Sequence, residues 1–283
     1  MNPFTHATAT NSVAIEIGGT AILLESDDPG FHAMVKAKYP GFLAAESHDS
    51  CSLRFDVEVL GEGELTEDED VHVWREFDRW YARRGDFRAE FDLQSGTGRI
   101  RQELNPFALN SILRIVHTIY LASRGGFLLH AASAIRNGSA FVFSGVSGAG
   151  KTTISRCAPD DAVLLSDEIS YMTKNSGQYG AWGTPFAGEL GQPGSNCTAP
   201  VAKFFFLEKG PQNHIEDVSR AEATRMLLRN ILFFCDDERL VRQVFDSAYD
   251  FLEHVPVYRL MFVPDTTVWN FVEEFDIACP TNT

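Results

Sequence analysis

The sequence is short of positive charge, of paired cysteines and of long apolar runs, and each shortage removes a class of function. Against 39 acidic residues stand 24 Lys and Arg, a formal charge of −15. A phosphate backbone or an anionic bilayer needs a basic footprint, so neither nucleic acid nor a membrane surface is expected as a partner. The five cysteines (Cys51, Cys157, Cys197, Cys235, Cys279) are odd in number and contain no C-x-x-C pair. They read as reduced thiols of a cytoplasmic protein, Cys157 as a small buried residue rather than a reactive one. Residues 1–12 are polar and lack the apolar run of a signal peptide. The longest apolar candidate, Ile112 to Leu121, is interrupted by Arg114 and His117 and is too short to span a bilayer. No internal repeat is visible, and no low-complexity tract beyond the acidic segment Gly61 to Asp70, read as a solvated loop.

What is present is a globular composition. Of 283 residues, 44% are apolar and 22 are Phe, enough for one large core or two modest domains. The pattern predicts a mixed α/β chain with a small β-rich domain over 1–104 and a second domain over 105–283. In the first, Val13, Ile15 and Ile17 alternate, Gly18-Gly19 turns, and Ala21 to Leu24 returns. Pro29 to Tyr39 reads as a helix ended by Pro40. Leu53 to Val59 and Phe87 to Leu93 alternate as half-buried strands. Asn105-Pro106 then caps a helix through Tyr120, stopped by Gly125-Gly126. The second domain opens with a hairpin: Gly126 to Ile135, an Asn137-Gly138 turn, and Ala140 to Phe143. Strands over 163–165, 201–207 and 257–263 and helices over 221–232 and 237–251 follow. Trp74, Trp80, Trp182 and Trp269 read as core or loop-packing residues.

The chemistry sits after that hairpin. Gly145, Val146, Ser147, Gly148, Ala149, Gly150, Lys151 and Thr152 fit G-x-x-x-x-G-K-[ST], a phosphate-binding loop. Glycines let successive N–H groups converge on one anion, and a helix beginning near Lys151 adds its positive pole. Lys151 can reach the outer phosphates of a nucleotide, Thr152 can hold Mg²⁺, and Thr153 closes the segment. A buried strand before the loop and a short helix after it give the motif the context it needs.

Two further signals lie nearby. Asp167 and Glu168 end an apolar strand. A carboxylate there can bind Mg²⁺ or take a proton from an acceptor hydroxyl, and spacing does not say which acid does which. His130 lies inside Leu128 to Ser133 on the first strand of the hairpin; neighbouring strands could bring it beside the phosphates, where it can orient the acids or stabilise phosphoryl charge, and a satisfied core histidine is the plainer reading of its apolar strand. Arg225 and Arg229 share a helix face. One can clamp a phosphate, and a surface salt bridge is the plainer reading.

The stretch Leu128 to Glu168 resembles the catalytic domain of HPr kinase/phosphorylase and its relatives. The strand His (His130), the short hairpin, the loop of form G-x-S-G-x-G-K-[ST] and the acidic pair occur in the same order. Gly183-Thr184-Pro185-Phe186, with Gly188-Glu189, resembles a segment of shorter relatives associated with peptide maturation, where it could border the acceptor pocket. The resemblance implies a fold similar to ATP-dependent phosphoenolpyruvate carboxykinase and a kinase that uses ATP and Mg²⁺. It implies His130, Lys151 and Asp167 as catalytic residues, Thr152, Asp167 and Glu168 around the metal, and an acceptor serine on a small protein or precursor peptide. The chain departs from the pattern at Glu168, where the enzyme has Asp, and in its first third, which does not resemble the regulatory domain. An ATPase or nucleotide-binding regulatory module without a phosphorylated acceptor is the alternative. A small-molecule hydroxyl as acceptor and homo-oligomerisation both stay open.

Overall fold

Alternation of apolar and polar side chains builds the first sheet. In β4 (Leu53–Leu60), Leu53, Phe55 and Val57 are buried while Arg54, Asp56 and Glu58 face outward, the pattern of a strand with one wet face. The computed structural model describes residues 12–45, 51–61 and 70–275, and over these it is a mixed α/β protein with two eight-stranded sheets and six α-helices. Cys279, residues 1–11 and residues 62–69 of the acidic segment lie outside the described residues. No helix among the described residues is long and apolar enough to cross a membrane.

The chain divides into two units, Met1–Ser123 with Phe233–Gln243, and Arg124–Leu232 with Val244–Thr283. The sequence pattern drew its boundary at 104/105, ahead of the helix that here groups with the first unit. That unit contains β1 (Ser12–Ile17), β2 (Thr20–Glu25), β3 (Leu43–Ala44), β4, β5 (His72–Glu76), β6 (Arg79–Arg84), β7 (Phe87–Asp92) and β8 (Thr97–Glu103), in the order β3-β1-β2-β4-β8-β7-β6-β5. Its helices are α1 (Pro29–Lys38), capped by the Asp28 side chain, and α2 (Pro106–Ala122), where the Asn105 side chain accepts from the Phe107 N–H at 2.9 Å.

The second unit starts with the expected hairpin, β9 (Phe127–Arg136) and β10 (Ser139–Ser144). Asn137 and Gly138 both have positive φ, 48° and 76°, as a tight two-residue turn requires. Then come α3 (Lys151–Arg156), β11 (Val163–Ser166), β12 (Ile169–Asn175), β13 (Gln178–Trp182), β14 (Thr198–Lys209), β15 (His214–Asp217), α4 (Arg220–Asn230), α5 (Glu238–His254, which belongs to this unit from Val244 onward), β16 (Val257–Phe262) and α6 (Thr267–Glu274). The long strands β9 and β14 each pair on both edges. The ladder β9-β12-β13-β14-β10 therefore returns to β9 and closes on itself.

One core lies under the phosphate-loop segment. Phe143 stacks on Phe205 (5.5 Å, 14°), and Trp269 meets Phe143 edge-on at 5.2 Å. The indole N–H of Trp269 donates to the Ile154 carbonyl at 3.0 Å, so α6 is tied to α3. Offset and edge-on aromatic pairs of this kind add about 0.5–1.5 kcal/mol beyond area burial.

Candidate functional site

β10 and β11 both run antiparallel to β9, so they point the same way and finish at the same end of the sheet. The first delivers Gly145 to Thr152, the second Asp167 and Glu168. Between them the backbone of β9 is pinned to both. The Ser144 hydroxyl donates to the His130 carbonyl (2.7 Å), and the Ala131 N–H donates to the Glu168 carbonyl (3.0 Å). Beyond β11, the Ser166 hydroxyl accepts the N–H groups of Glu168 (3.1 Å) and Ile169 (2.8 Å). This turns the chain sharply after the strand and presents both acids at the sheet end.

These elements enclose a cleft of about 530 Å³ within the second unit. Of the residues singled out in the sequence, His130, Gly145, Val146, Ser147, Gly148, Gly150, Lys151, Thr152, Thr153, Asp167 and Glu168 all line it. Ala149 does not: it is buried and joins the aromatic core beneath the loop. Gly188 and Glu189 also line the cleft, and so do Arg229 and Asn230 from the end of α4.

Lys151 is folded onto its own loop, its ammonium donating to the Gly145 carbonyl at 2.8 Å and lying 3.4 Å from that of Val146. Burial lowers its pKa, and the charges of Glu168 and Glu189 oppose that shift. The three side chains are therefore electrostatic neighbours, and an anionic ligand reaching Lys151 must compete with two carboxylates. The loop is itself turned by a bond from the Ala149 N–H to the Val146 carbonyl, 3.1 Å.

Asp167 has a more specific environment than its spacing revealed. It is 3% exposed, and its two carboxylate oxygens accept the backbone N–H groups of Gly188 and Leu190, each at 2.9 Å. The acid thus anchors the loop that carries Gly188 and Glu189 to the cleft. That loop is also laid on β11: the Thr184 N–H donates to the Leu165 carbonyl (3.0 Å), and the Thr184 hydroxyl donates to the Ile169 carbonyl (2.6 Å). A Cβ on Gly188 would stand 2.8 Å from the Glu168 Cβ and 3.0 Å from Asp167 Oδ2, so the approach of loop to acid pair requires glycine there. Both carboxylates retain lone pairs for further partners.

Of the two arginines that share a helix face, Arg229 lines the cleft and Arg225 does not. Arg229 is exposed and makes no ion pair among the described residues. Asn230, buried at the end of α4 with its amide donating to the Met226 carbonyl at 2.8 Å, had no signal in the sequence beyond a polar residue at a helix end. Thr152, Asp167 and Glu168 together offer oxygen donors of the hard type that Mg²⁺ takes, and all three line one cleft, so the donor set fits that cation. A separate group, Asp250, Glu253 and His254 on α5, brings ligand atoms within 4.8 Å of one another. Asp250 there is already bonded to Lys174 (2.6 and 2.8 Å) and to the Tyr179 hydroxyl (2.6 Å), which accounts for it as a structural contact. Cys157 is buried, and burial raises its thiol pKa, with the Asp265 charge adding to the shift.

The fold and the cleft define a mixed α/β protein with a phosphate-loop sequence at the end of a hairpin strand. Residues 101–276 match the family described as SynChlorMet cassette protein ScmC, and the chain belongs to that family. The match runs over more than half of the chain and takes in every cleft residue named above. No curated protein matches the chain.

Proposed function

We propose that this chain is an ATP-dependent phosphotransferase that moves the terminal phosphate of ATP to a hydroxyl, the acceptor being a serine of a small protein or precursor peptide. One observation carries the reading. A phosphate-loop sequence with its lysine and two carboxylates, delivered by strands that share a direction, converge on a single cleft with a histidine from the antiparallel strand between them. In its finer form the proposal makes the second unit an HPr-kinase-like domain related in fold to phosphoenolpyruvate carboxykinase. The strand that feeds the loop, β10, is parallel to β14 on one edge and antiparallel to β9 on the other; the antiparallel neighbour, joined to it by a two-residue hairpin, supports this, because the phosphate loop of a doubly wound fold follows a strand set among parallel ones. The family description names a cassette, which suits a protein acting on a product encoded beside it.

The roles follow from position. Loop amides and Lys151 hold the triphosphate. Lys151 leaves its carbonyl contacts to do so and meets charge that develops on the transferring group. Asp167 takes the serine proton on a remaining lone pair while its loop bonds keep Gly188 and Glu189 at the cleft wall. His130, on the exposed mouth of β9, faces the same charge. Mg²⁺, when bound, supplies charge neutralisation at the phosphates, and Thr152, Asp167 and Glu168 would hold it. At phosphorus the bond to the bridging oxygen of ADP breaks as the bond to the serine oxygen forms, and the proton released from the serine hydroxyl passes to the Asp167 carboxylate. The setting is cytoplasmic in this reading.

The test is incubation of the full chain with labelled ATP, Mg²⁺ and serine-containing peptides encoded near it. Label is expected on a peptide serine and is expected to vanish with Lys151→Ala. Label released only as free phosphate would replace this reading with that of an ATPase or regulatory module, which shares the phosphate loop. Nucleotide that fails to bind at millimolar concentration would remove both.

A further inference from the structure

The outer face of the first sheet carries a row of three arginines, of which an acid on a neighbouring strand neutralises one. Backbone register places His72, Arg83, Arg88, Arg101 and Glu58 directly opposite one another across β5, β6, β7, β8 and β4. Arg101 is paired with Glu58 at 2.8 Å. Arg83 and Arg88, neighbours in the row, are both exposed and make no ion pair among the described residues. Like charges set directly opposite across a strand pair destabilise a sheet, so the row is costly unless something anionic lies on it. The adjoining row is aromatic at the same end: Trp74 stacks on Tyr81 (5.3 Å, 13°), and the Arg83 guanidinium lies 5.8 Å from the Trp74 ring. Trp74 is 36% exposed, unlike the buried Trp80 on the opposite face. Trp74, Tyr81, Arg83, Arg88 and Arg101 border a shallow hollow of about 420 Å³, whose wall also holds Arg99 and Glu90.

We infer that this face docks an acidic peptide segment that carries an aromatic side chain. The chemistry of the face selects that occupant. A guanidinium binds a carboxylate through two parallel donors, and the flat Trp74–Tyr81 surface takes an aromatic ring. Carboxylates on alternate residues of an extended peptide lie about 6.5–7 Å apart, within reach of two long side chains on adjacent strands. A nucleic acid needs a continuous basic footprint, and in this patch Glu58, Asp56 and Glu90 already offset Arg101, Arg99 and Arg79, which leaves two guanidinium groups free of ion pairs among the described residues, enough for a short acidic segment. The inference concerns the first unit alone and does not depend on the phosphotransferase reading.

The probe is a short fluorescein-labelled peptide rich in glutamate with one phenylalanine, titrated with the full chain at low salt. Saturable binding is expected, accompanied by a change in tryptophan emission that Trp74→Phe removes. The double variant Arg83→Glu, Arg88→Glu is expected to bind about ten- to a hundredfold more weakly and to melt at the wild-type temperature or above it. Binding is also expected to weaken as salt is added. Equal affinity in the double variant, or for a lysine-rich control peptide, overturns the inference. Tighter binding of a labelled oligothymidylate would make the occupant a nucleic acid instead. A probe that binds only after Glu64, Glu67, Asp68 and Glu69 are changed to their amides would assign the face to the chain's own acidic segment, and the proposal would fail.

Discussion

Replacing Asp167 with asparagine strikes both the loop contacts this carboxylate makes and the proton-acceptor role proposed for it. The side chain is 3% exposed and accepts two backbone N–H groups at 2.9 Å, from Gly188 and Leu190. Asparagine keeps one oxygen. Its NH₂ group must then face the other backbone N–H, donor against donor. One charge-assisted bond worth about 1.5–3 kcal/mol is lost, and a buried N–H is left unpaired at a cost of about 1–3 kcal/mol. The two terms overlap, so the net expectation is about 2–4 kcal/mol against the anchored loop. Glu168→Gln leaves both anchoring bonds in place, and its expected cost is below about 1 kcal/mol. Hydrogen exchange reads this directly. The Gly188 and Leu190 amides are expected to exchange at least about thirtyfold faster in Asp167→Asn, a tenfold change for each 1.4 kcal/mol, and at the wild-type rate in Glu168→Gln. Unchanged protection in Asp167→Asn would refute the anchoring argument. The outcome also governs how activity data are read. If the loop loosens, lost phosphate transfer in Asp167→Asn does not isolate proton transfer, and nucleotide affinity in Glu168→Gln becomes the cleaner probe of the acid pair.

Three other outcomes are expected. Gly188→Ala sets a Cβ 2.8 Å from the Glu168 Cβ and should lower phosphate transfer strongly while thermal stability of the chain changes little; wild-type transfer would show that the loop yields. Trp269→Ala removes the buried indole that joins α6 to α3 and packs on Phe143, and denaturant unfolding of the second unit should lose about 3–5 kcal/mol; a loss under 1 kcal/mol would contradict the assigned packing. His117 is fully buried on α2, and burial pushes its pKa down to about 3 from 6.5. Between those values the unfolded chain binds a proton that the folded chain does not. Its contribution to stability is therefore complete above pH 6.5 and falls by about 1.4 kcal/mol per pH unit as pH drops below it. Urea unfolding at pH 7 and pH 5.5 should show that difference in the wild type and a smaller one in His117→Gln, and equal slopes in the two proteins would rule His117 out as the source.

Legibility in the sequence tracked how local each determinant was. The β9–β10 hairpin could be read because Asn137 and Gly138 supply the positive φ of the turn themselves, and α2 because Asn105 caps it two residues away. Strands β5, β6 and β8 escaped notice for the opposite reason. In β6 only Trp80 and Ala82 are buried among three arginines, and in β8 only Ile100 and Gln102. Their solvent faces dilute the apolar alternation below recognition. β12 hid differently: Ile169 to Met172 is buried without alternation, a run too short to tell strand from helix. The turn at Ser176-Gly177, both at positive φ, was the signal available for the β12–β13 hairpin.

The cleft shows the same division on a smaller scale. Its phosphate-loop half is one contiguous sequence motif, legible from residue types and spacing alone. Its opposite wall is assembled from contacts across long sequence separations, Asp167 with Gly188 and Leu190, and from the end of α4 with Arg229. The arginine pair on α4 looked symmetric in the sequence, four residues apart on one face. It becomes asymmetric only when the end of α4 falls at the cleft, because Arg229 sits one turn nearer that end than Arg225. Spacing along a helix specifies which residues share a face, and the pairing of the residues just after α4 with β9, Ile231 with Leu129 and Leu232 with Leu128, determines which of them reaches the cleft. Weakening that docking, rather than touching Arg225, should be the change that removes Arg229 from the cleft. Ile231→Asp, which buries a charge at the 7% exposed bridge position, is therefore expected to reduce nucleotide affinity as far as Arg229→Ala does, while Arg225→Ala leaves it unchanged; an effect of Arg225→Ala as large as that of Arg229→Ala would show that the face, and not the helix end, defines the site.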